Sequence, residues 1–180
     1  GDCDSEKTGT MVTFHPDPEI FEETVFDFHT LKHRFREIAF LTKGLKIIAK
    51  DNRGEEPKET VFHYEGGIRE FVQYLNKSTT ALYEEILYFE GTKDGVMVEV
   101  AMQHNDSYTE NTYGFVNNIT TPEGGTHVVG FRNALTKTFN EYARKNKLLK
   151  DSDANLSGED IREGLTAIIS VKIEDPQFEG

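Results

Sequence analysis

Residues 165–173 read Leu-Thr-Ala-Ile-Ile-Ser-Val-Lys-Ile and follow directly on Gly164. A short run so dense in β-branched apolar side chains belongs inside a sheet rather than at its edge. The rest of the chain must therefore supply strands beside it, and they are legible upstream. Residues 86–90 and 96–103 flank Gly91-Thr92-Lys93-Asp94-Gly95 and predict a hairpin. Val96, Val98, Val100 and Met102 alternate with Met97, Glu99 and Ala101, one face buried and one mixed. Residues 112–116 add a third strand. Gly124-Gly125-Thr126 opens the longest helix, 127–145, with a core stripe of Val128, Phe131, Leu135, Phe139 (or Thr138) and Tyr142. After a polar linker at 147–156, Ser157-Gly158-Glu159-Asp160 has the form of a helix N-cap with an acid at N3. A further helix, striped by Ile68, Phe71, Val72 and Leu75, precedes the strands. Three antiparallel strands followed by a helical crossover to a fourth predict an α/β sandwich, in the α+β sense, with helices on one face.

The first part of the chain is thinner. Residues 10–14 read as a short strand ended by His15-Pro16-Asp17-Pro18, because proline cannot donate to a ladder. Residues 24–28 read as a second strand, and 30–43 as a helix striped by Leu31, Phe35, Ile38, Ala39 and Leu41 or Thr42, with Gly44 suited to its C′ position. Residues 45–50 and 60–64 predict a hairpin around Asp51-Asn52-Arg53-Gly54. This part is too small to close a core alone and reads as the end of a domain. Composition changes at Glu65-Gly66-Gly67, the expected boundary.

Charge and composition exclude several classes. The 20 Lys+Arg against 32 Asp+Glu leave a formal charge of −12, which argues against a surface that grips nucleic-acid phosphates. The single cysteine, Cys3, excludes an internal disulfide framework and a Cys-rich zinc site, and no basic neighbour activates it as a nucleophile. No apolar run approaches the roughly 20 residues that span a bilayer. Gly1-Asp2-Cys3-Asp4 is no signal peptide, so a soluble piece excised from a longer chain is expected. His29 and His33 are spaced i, i+4, but no carboxylate completes a ligand set, and no metal is expected. Asp151, Asp153, Glu159, Asp160 and Glu163 fall on a linker and a cap, whereas a two-metal nuclease needs rigid carboxylates. Gly124-Gly125-Thr126-His127 can hold an anion at a helix start, although a tight turn with Thr126 as N-cap explains the same residues. Gly66-Gly67 lacks the Lys-Ser/Thr of a phosphate loop. On these grounds the chain carries no self-contained active site.

Several segments do resemble a known family. Glu6-Lys7-Thr8-Gly9-Thr10, Tyr64-Glu65-Gly66-Gly67-Ile68, Gly124-Gly125-Thr126-His127, Gly158-Glu159-Asp160-Ile161-Arg162-Glu163-Gly164-Leu165 and Asp175-Pro176-Gln177-Phe178-Glu179-Gly180 are similar, in order and spacing, to the B subunits of bacterial DNA gyrase. The paralogous topoisomerase IV B subunits share much of this, but the Tyr-Glu-Gly-Gly form and the final hexapeptide look more like gyrase. The resemblance implies that residues 1–62 are the C-terminal part of an ATP-binding domain of the GHKL type. Residues 63–180 would be a transducer domain of the ribosomal protein S5 domain 2-like fold, with its unusual left-handed βαβ crossover. It places Gly9 and Thr10 on the adenine side of an ATP pocket, where a threonine hydroxyl both donates and accepts. The general-base glutamate, the magnesium-holding asparagine and the γ-phosphate lysine would lie outside the 180 residues. The piece alone is thus expected to be inactive and to bind neither ATP nor Mg2+. The parent would be a cytoplasmic ATP-hydrolysing type II topoisomerase, partnered by gyrase A subunits, DNA and a second B subunit, and away from membranes. A rival reading from the residues alone is an acidic α/β protein-interaction module with no ATPase role.

Overall fold

The computed structural model describes Asp4, Glu6 and residues 8–11 and 16–179. Most of the strand expected at 10–14 lies outside the described residues, as does Cys3; residues 10 and 11 are in no strand. The first helix, α1, runs Phe28–Leu41. The strand expected at 24–28 is not formed, because Asp27 serves as a helix cap: its carboxylate accepts the Thr30 N–H at 2.7 Å and the Thr30 hydroxyl at 2.6 Å. Those two bonds, the hydroxyl's the stronger, hold the Asp27 carboxyl below its usual range. Gly44, with φ +80°, turns the chain into β1, Lys46–Asp51. This strand pairs antiparallel with β2, Lys58–His63, in the hairpin read from the sequence. Ala49 and Phe62 are buried against Ala39 of α1, so the hairpin's inner face lies on the helix.

Beyond the glycine pair, α2 spans Ile68–Leu75, and β3 (Leu87–Lys93) and β4 (Val96–His104) form the expected hairpin. Its turn is tighter than the expected five residues. Asp94 and Gly95 both have positive φ, +52° and +79°, as a two-residue hairpin connection requires, so Gly91 to Lys93 continue the strand. A second tight turn at Asn117-Asn118, with φ +50° and +63°, joins β5 (Asn111–Val116) to the short β6 (Ile119–Thr120). Then come α3, Thr126–Lys145, α4, Gly158–Arg162, and β7, Leu165–Lys172.

The five strands stand in the order β3-β4-β7-β5-β6, so β7 is central as read. Its arrival changes the expected pairing. It lies antiparallel to β4 and parallel to β5, so the three preceding strands are not one antiparallel run. Helices also cover both faces rather than one. Ala101, Phe115 and Ile168 pack with Ile68, Phe71 and Val72 of α2 and with Phe40 and Leu41 of α1. Val100, Met102, Leu165, Ala167, Ile169 and Val171 pack instead on Leu135 of α3 and Ile161 of α4. The physical reason is visible in β7, which is buried on successive residues and so needs cover on both sides. Two details of α3 differ from the reading. Gly125, not Thr126, is the N-cap and offers no side-chain bond. Tyr142 is exposed, and Ala143 takes the last buried position of the helix, its carbonyl accepting the Leu148 N–H. The Ser157–Asp160 capping box on α4 is complete in both directions. No helix of the described residues is long and apolar enough to cross a membrane.

Candidate functional site

The end of α1, the Tyr64-to-Gly67 segment and the face of the sheet meet at one seam. The Tyr64 carbonyl accepts two N–H groups, from Gly44 at 3.4 Å and Gly67 at 3.3 Å, so the segment closes around the helix end. Phe40 sits between the rings of Tyr64 and Phe71, with centroids 3.7 and 4.7 Å away and planes 18° and 7° from parallel. Gly67 has φ +58°, and a Cβ there would lie 3.4 Å from Lys43 Cβ and 3.6 Å from the Phe40 carbonyl oxygen. That combination explains why glycine stands at the start of α2. The Gly66 N–H donates to the Glu70 carboxylate, a reach back over the first turn. On the far side, Arg34 donates to the Asn118 carbonyl at 2.7 Å, and the Asn118 amide donates to the Thr42 hydroxyl at 3.2 Å. Helix α1 is thus held to the sheet at both the glycine pair and the β5–β6 turn.

Under this seam lies a cavity of about 240 Å³ between Lys43, Gly67, Arg69 and Tyr88. The Tyr88 oxygen is 2.7 Å from Glu90 Oε2 and 2.8 Å from Glu99 Oε1, and the Arg69 guanidinium stands 4.2 Å from the ring centroid. Burial, reinforced by the two carboxylates, pushes the Tyr88 phenol far above its ordinary range, so it is a hydrogen-bond donor at any physiological pH. Sequence reading missed this trio. The five-residue turn it assumed puts Glu90 out of register, whereas the two-residue turn sets Glu90 directly opposite Glu99.

The residues singled out from the sequence disperse. Gly9 and Thr10 are exposed on irregular backbone. His29 and His33 are exposed on α1, and no group of three acidic, histidine or cysteine side chains converges among the described residues. Asp151, Asp153, Glu159, Asp160 and Glu163 are exposed, and Asp153 and Asp160 serve as local acceptors for Lys150 and Ser157 backbone N–H groups. At the start of α3, the His127 ring packs against Gly114 and Gly125 with Nε2 3.0 Å from the Thr121 hydroxyl. Burial pulls the His127 imidazole below its ordinary value, so it favours the neutral form. Across the sheet, Glu110 receives Arg132 at 2.8 Å and Arg162 at 3.0 Å, joining α3 to α4. Burial opposes its charge, but bonds from Thr112, Arg132 and Arg162 outweigh that and hold its carboxyl below the usual range. The arrangement is suited to transmitting a displacement between two packed parts.

That architecture is the one found in the ATPase regions of bacterial type II topoisomerase B subunits. It superposes with a TM-score of 0.80 on a crystal structure of the 43K ATPase domain of Thermus thermophilus gyrase B in complex with an aminocoumarin, at 39% identity over 91% of this chain and 44% of that one. The sequence narrows the class further. The DNA gyrase B subunit of Bacillus cereus is 56% identical over 98% of this chain, and the DNA topoisomerase 4 B subunit of Enterococcus faecalis is 54% identical over 97%. The chain spans 44% of the first relative's length and 26% of the second's. Residues 67–180 match the DNA gyrase B family, and the chain belongs to it.

Proposed function

We propose that the chain is part of the ATPase region of a DNA gyrase B subunit and couples ATP binding and hydrolysis to gate closure and DNA strand passage, with negative supercoiling as the result. The observation that carries this reading is the match to gyrase B relatives across nearly the whole chain. In this reading residues 1–62 end the ATP-binding domain and residues 63–180 belong to the transducer. Gly9 and Thr10 contribute to the adenine side of the pocket, and ATP with Mg2+ is the parent's cofactor. The parent works in the cytoplasm with gyrase A, DNA and a second B subunit, and the 180 residues alone are not catalytic. A topoisomerase IV B subunit is the second reading, favoured by the Enterococcus faecalis relative.

Coupling requires a contact that differs between nucleotide states and a body that passes the difference on. The shared core of α1, α2 and the sheet is suited to the second task, because Phe40 and Leu41 are buried together with Phe71, Ala101 and Ile168. Gly66 and Gly67 are the proposed hinge. Replacing both with alanine in the intact parent protein is expected to uncouple ATP turnover from supercoiling, and wild-type coupling would remove the hinge. Calorimetry with magnesium and a non-hydrolysable ATP analogue tests the split pocket. Binding is expected only when the family's flanking segments are present, and binding by the 180 residues alone would overturn it.

A further inference from the structure

The tight turn between β5 and β6 is built from two asparagines, and each holds a different part of the fold. Asn117 grips the end of β7. Its N–H donates to the Val171 carbonyl at 2.8 Å, its side-chain amide donates to the Ile173 carbonyl at 2.9 Å, and its Oδ1 accepts the Ile173 N–H at 3.0 Å. The parallel ladder of β5 and β7 ends at Val116 and Val171, so the Asn117 side chain carries the pairing one step further. Asn118 grips α1 through the bonds to Arg34 and Thr42 already described. The turn is kept for these bonds rather than for its own stability. Positive φ at both positions is best served by asparagine followed by glycine, yet the second residue here is Asn118, at φ +63°. Its Oδ1 is buried without a partner, and turning the amide round would only move the deficit to its nitrogen. The two grips belong to elements that stand apart, because a cavity of about 650 Å³ lies between Thr42 and Lys43 of α1 and Ser170 and Lys172 of β7. Among the described residues, nothing after Val171 bonds to α1 directly, so the turn is a two-residue bonded connection between the exit of β7 and the end of α1.

We infer that the Asn117–Asn118 turn is a conformational latch that couples the path of the chain leaving β7 to the attachment of α1 on the sheet. When Ile173 pulls away, Asn117 loses two of the three bonds that hold it to β7. Asn118 follows without an intervening residue, so its grip on Arg34 and Thr42 loosens with it. The Ile173 end is the releasable one, because Asn117 is exposed and water competes for its bonds. The α1 end is firmer, since Asn118 is partly buried and Arg34 donates from a charged group. A coupling between two equilibria is reciprocal, so loosening α1 frees Ile173 by the same factor. The latch goes beyond the function proposed above and does not depend on it.

The test is amide hydrogen exchange by NMR on the 180-residue chain, which reads opening site by site. Asn117→Gly and Asn118→Gly both keep the turn, since glycine takes positive φ freely, and remove only side-chain bonds. The Thr42 N–H donates to the Ile38 carbonyl at 3.0 Å and reports on the end of α1. Asn117→Gly should speed its exchange by about threefold to tenfold, the worth of one hydrogen bond. Arg34→Met should speed exchange of the Ile173 N–H by a similar factor. Glu37→Gln breaks only the 3.1 Å ion pair of Arg34 within α1 and should leave Ile173 at the wild-type rate. In an Arg34→Met, Asn118→Gly background, where α1 is already detached from the turn, Asn117→Gly should add nothing at Thr42. The Ile168 N–H, in the middle of β7, reports global unfolding and should change by less than either end. The proposal fails if Asn117→Gly leaves Thr42 at the wild-type rate, or if Arg34→Met leaves Ile173 there. It also fails if Asn117→Gly still acts at Thr42 in the detached background, or if Ile168 accelerates as much as Thr42 and Ile173.

Discussion

Replacing Gly164 with alanine should damage the fold far more than the same change at Gly91 of β3. Gly164 precedes β7 with φ +71°, a conformation that costs an L-residue about 1–2 kcal/mol. Its added Cβ would press on the carbonyl oxygens of Asn105 and Ser107, the latter at 2.7 Å. These are backbone atoms and cannot swing away. The Asn105 N–H donates to the Gly164 carbonyl at 2.9 Å, the Asp106 N–H to the Thr80 carbonyl at 2.9 Å, and the Ser107 N–H to Asn105 Oδ1 at 2.9 Å. Overpacking of a fixed site adds about 1–3 kcal/mol. The expected loss is therefore about 2–5 kcal/mol, a large share of the roughly 5–15 kcal/mol that holds a domain. With a urea m-value of about 2 kcal/mol/M, the midpoint should fall by about 1–2.5 M. Gly91→Ala is the control, since nothing lies within 4 Å of its added methyl and its φ is ordinary; it should stay within about 0.5 kcal/mol of wild type. Urea denaturation of the two variants side by side decides the matter. Midpoints that agree within error would show that the Asn105–Ser107 loop yields, and would refute the reasoning.

Ser157→Ala removes one half of a complete capping box and should cost about 1 kcal/mol in the same urea assay, whereas Ser157→Asp should recover most of it. Asn76→Ala should cost about 2–4 kcal/mol. It strips a buried network in which Asn76 donates to Gln103 at 3.1 Å and accepts from Asn105 at 3.1 Å and Thr166 at 2.6 Å. His127 gives a pH signature. Its folded value is depressed by burial, so the unfolded chain binds more protons below about pH 6.5; the stabilisation is full above that pH and is lost as pH falls toward the folded value. Denaturation at pH 7.5 and 5.5 should show a loss in wild type that His127→Gln reduces, and parallel profiles would exclude the assignment.

What sequence reading captured and what it missed divide along physical lines. Strong periodicity made α2 and the central place of β7 readable, because Ile68, Phe71 and Val72 recur at helical spacing and no edge strand needs so much β-branched bulk. Capping chemistry was legible at Ser157 but passed over at Asp27, where the apolar alternation of 24–28 competed with an equally good Asp-x-x-Thr cap. The tertiary step was the hard one. Nothing local reveals that β7 inserts between β4 and β5, and once it does, helices must cover both faces. The seam was out of reach for a related reason. Tyr88, Glu90 and Glu99 come together only through a register set by Asp94-Gly95, and Asn118 meets Thr42 only through the fold.

The sheet's keystone is also the last of its described strands to be synthesised. Until residues 165–172 leave the ribosome, the β3–β4 and β5–β6 hairpins have no strand between them, and each presents an unsatisfied inner edge. The α3 stripe and Ile161 rest until then only on Val100 and Met102 of β4, because β7 supplies Leu165, Ala167, Ile169 and Val171 of the core they join. Folding of this region is thus an all-or-none event that waits for a late segment, with long loops to close before any long-range pairing is rewarded. The interval in which two open edges are held apart is the period when this chain most needs protection from pairing with a neighbour.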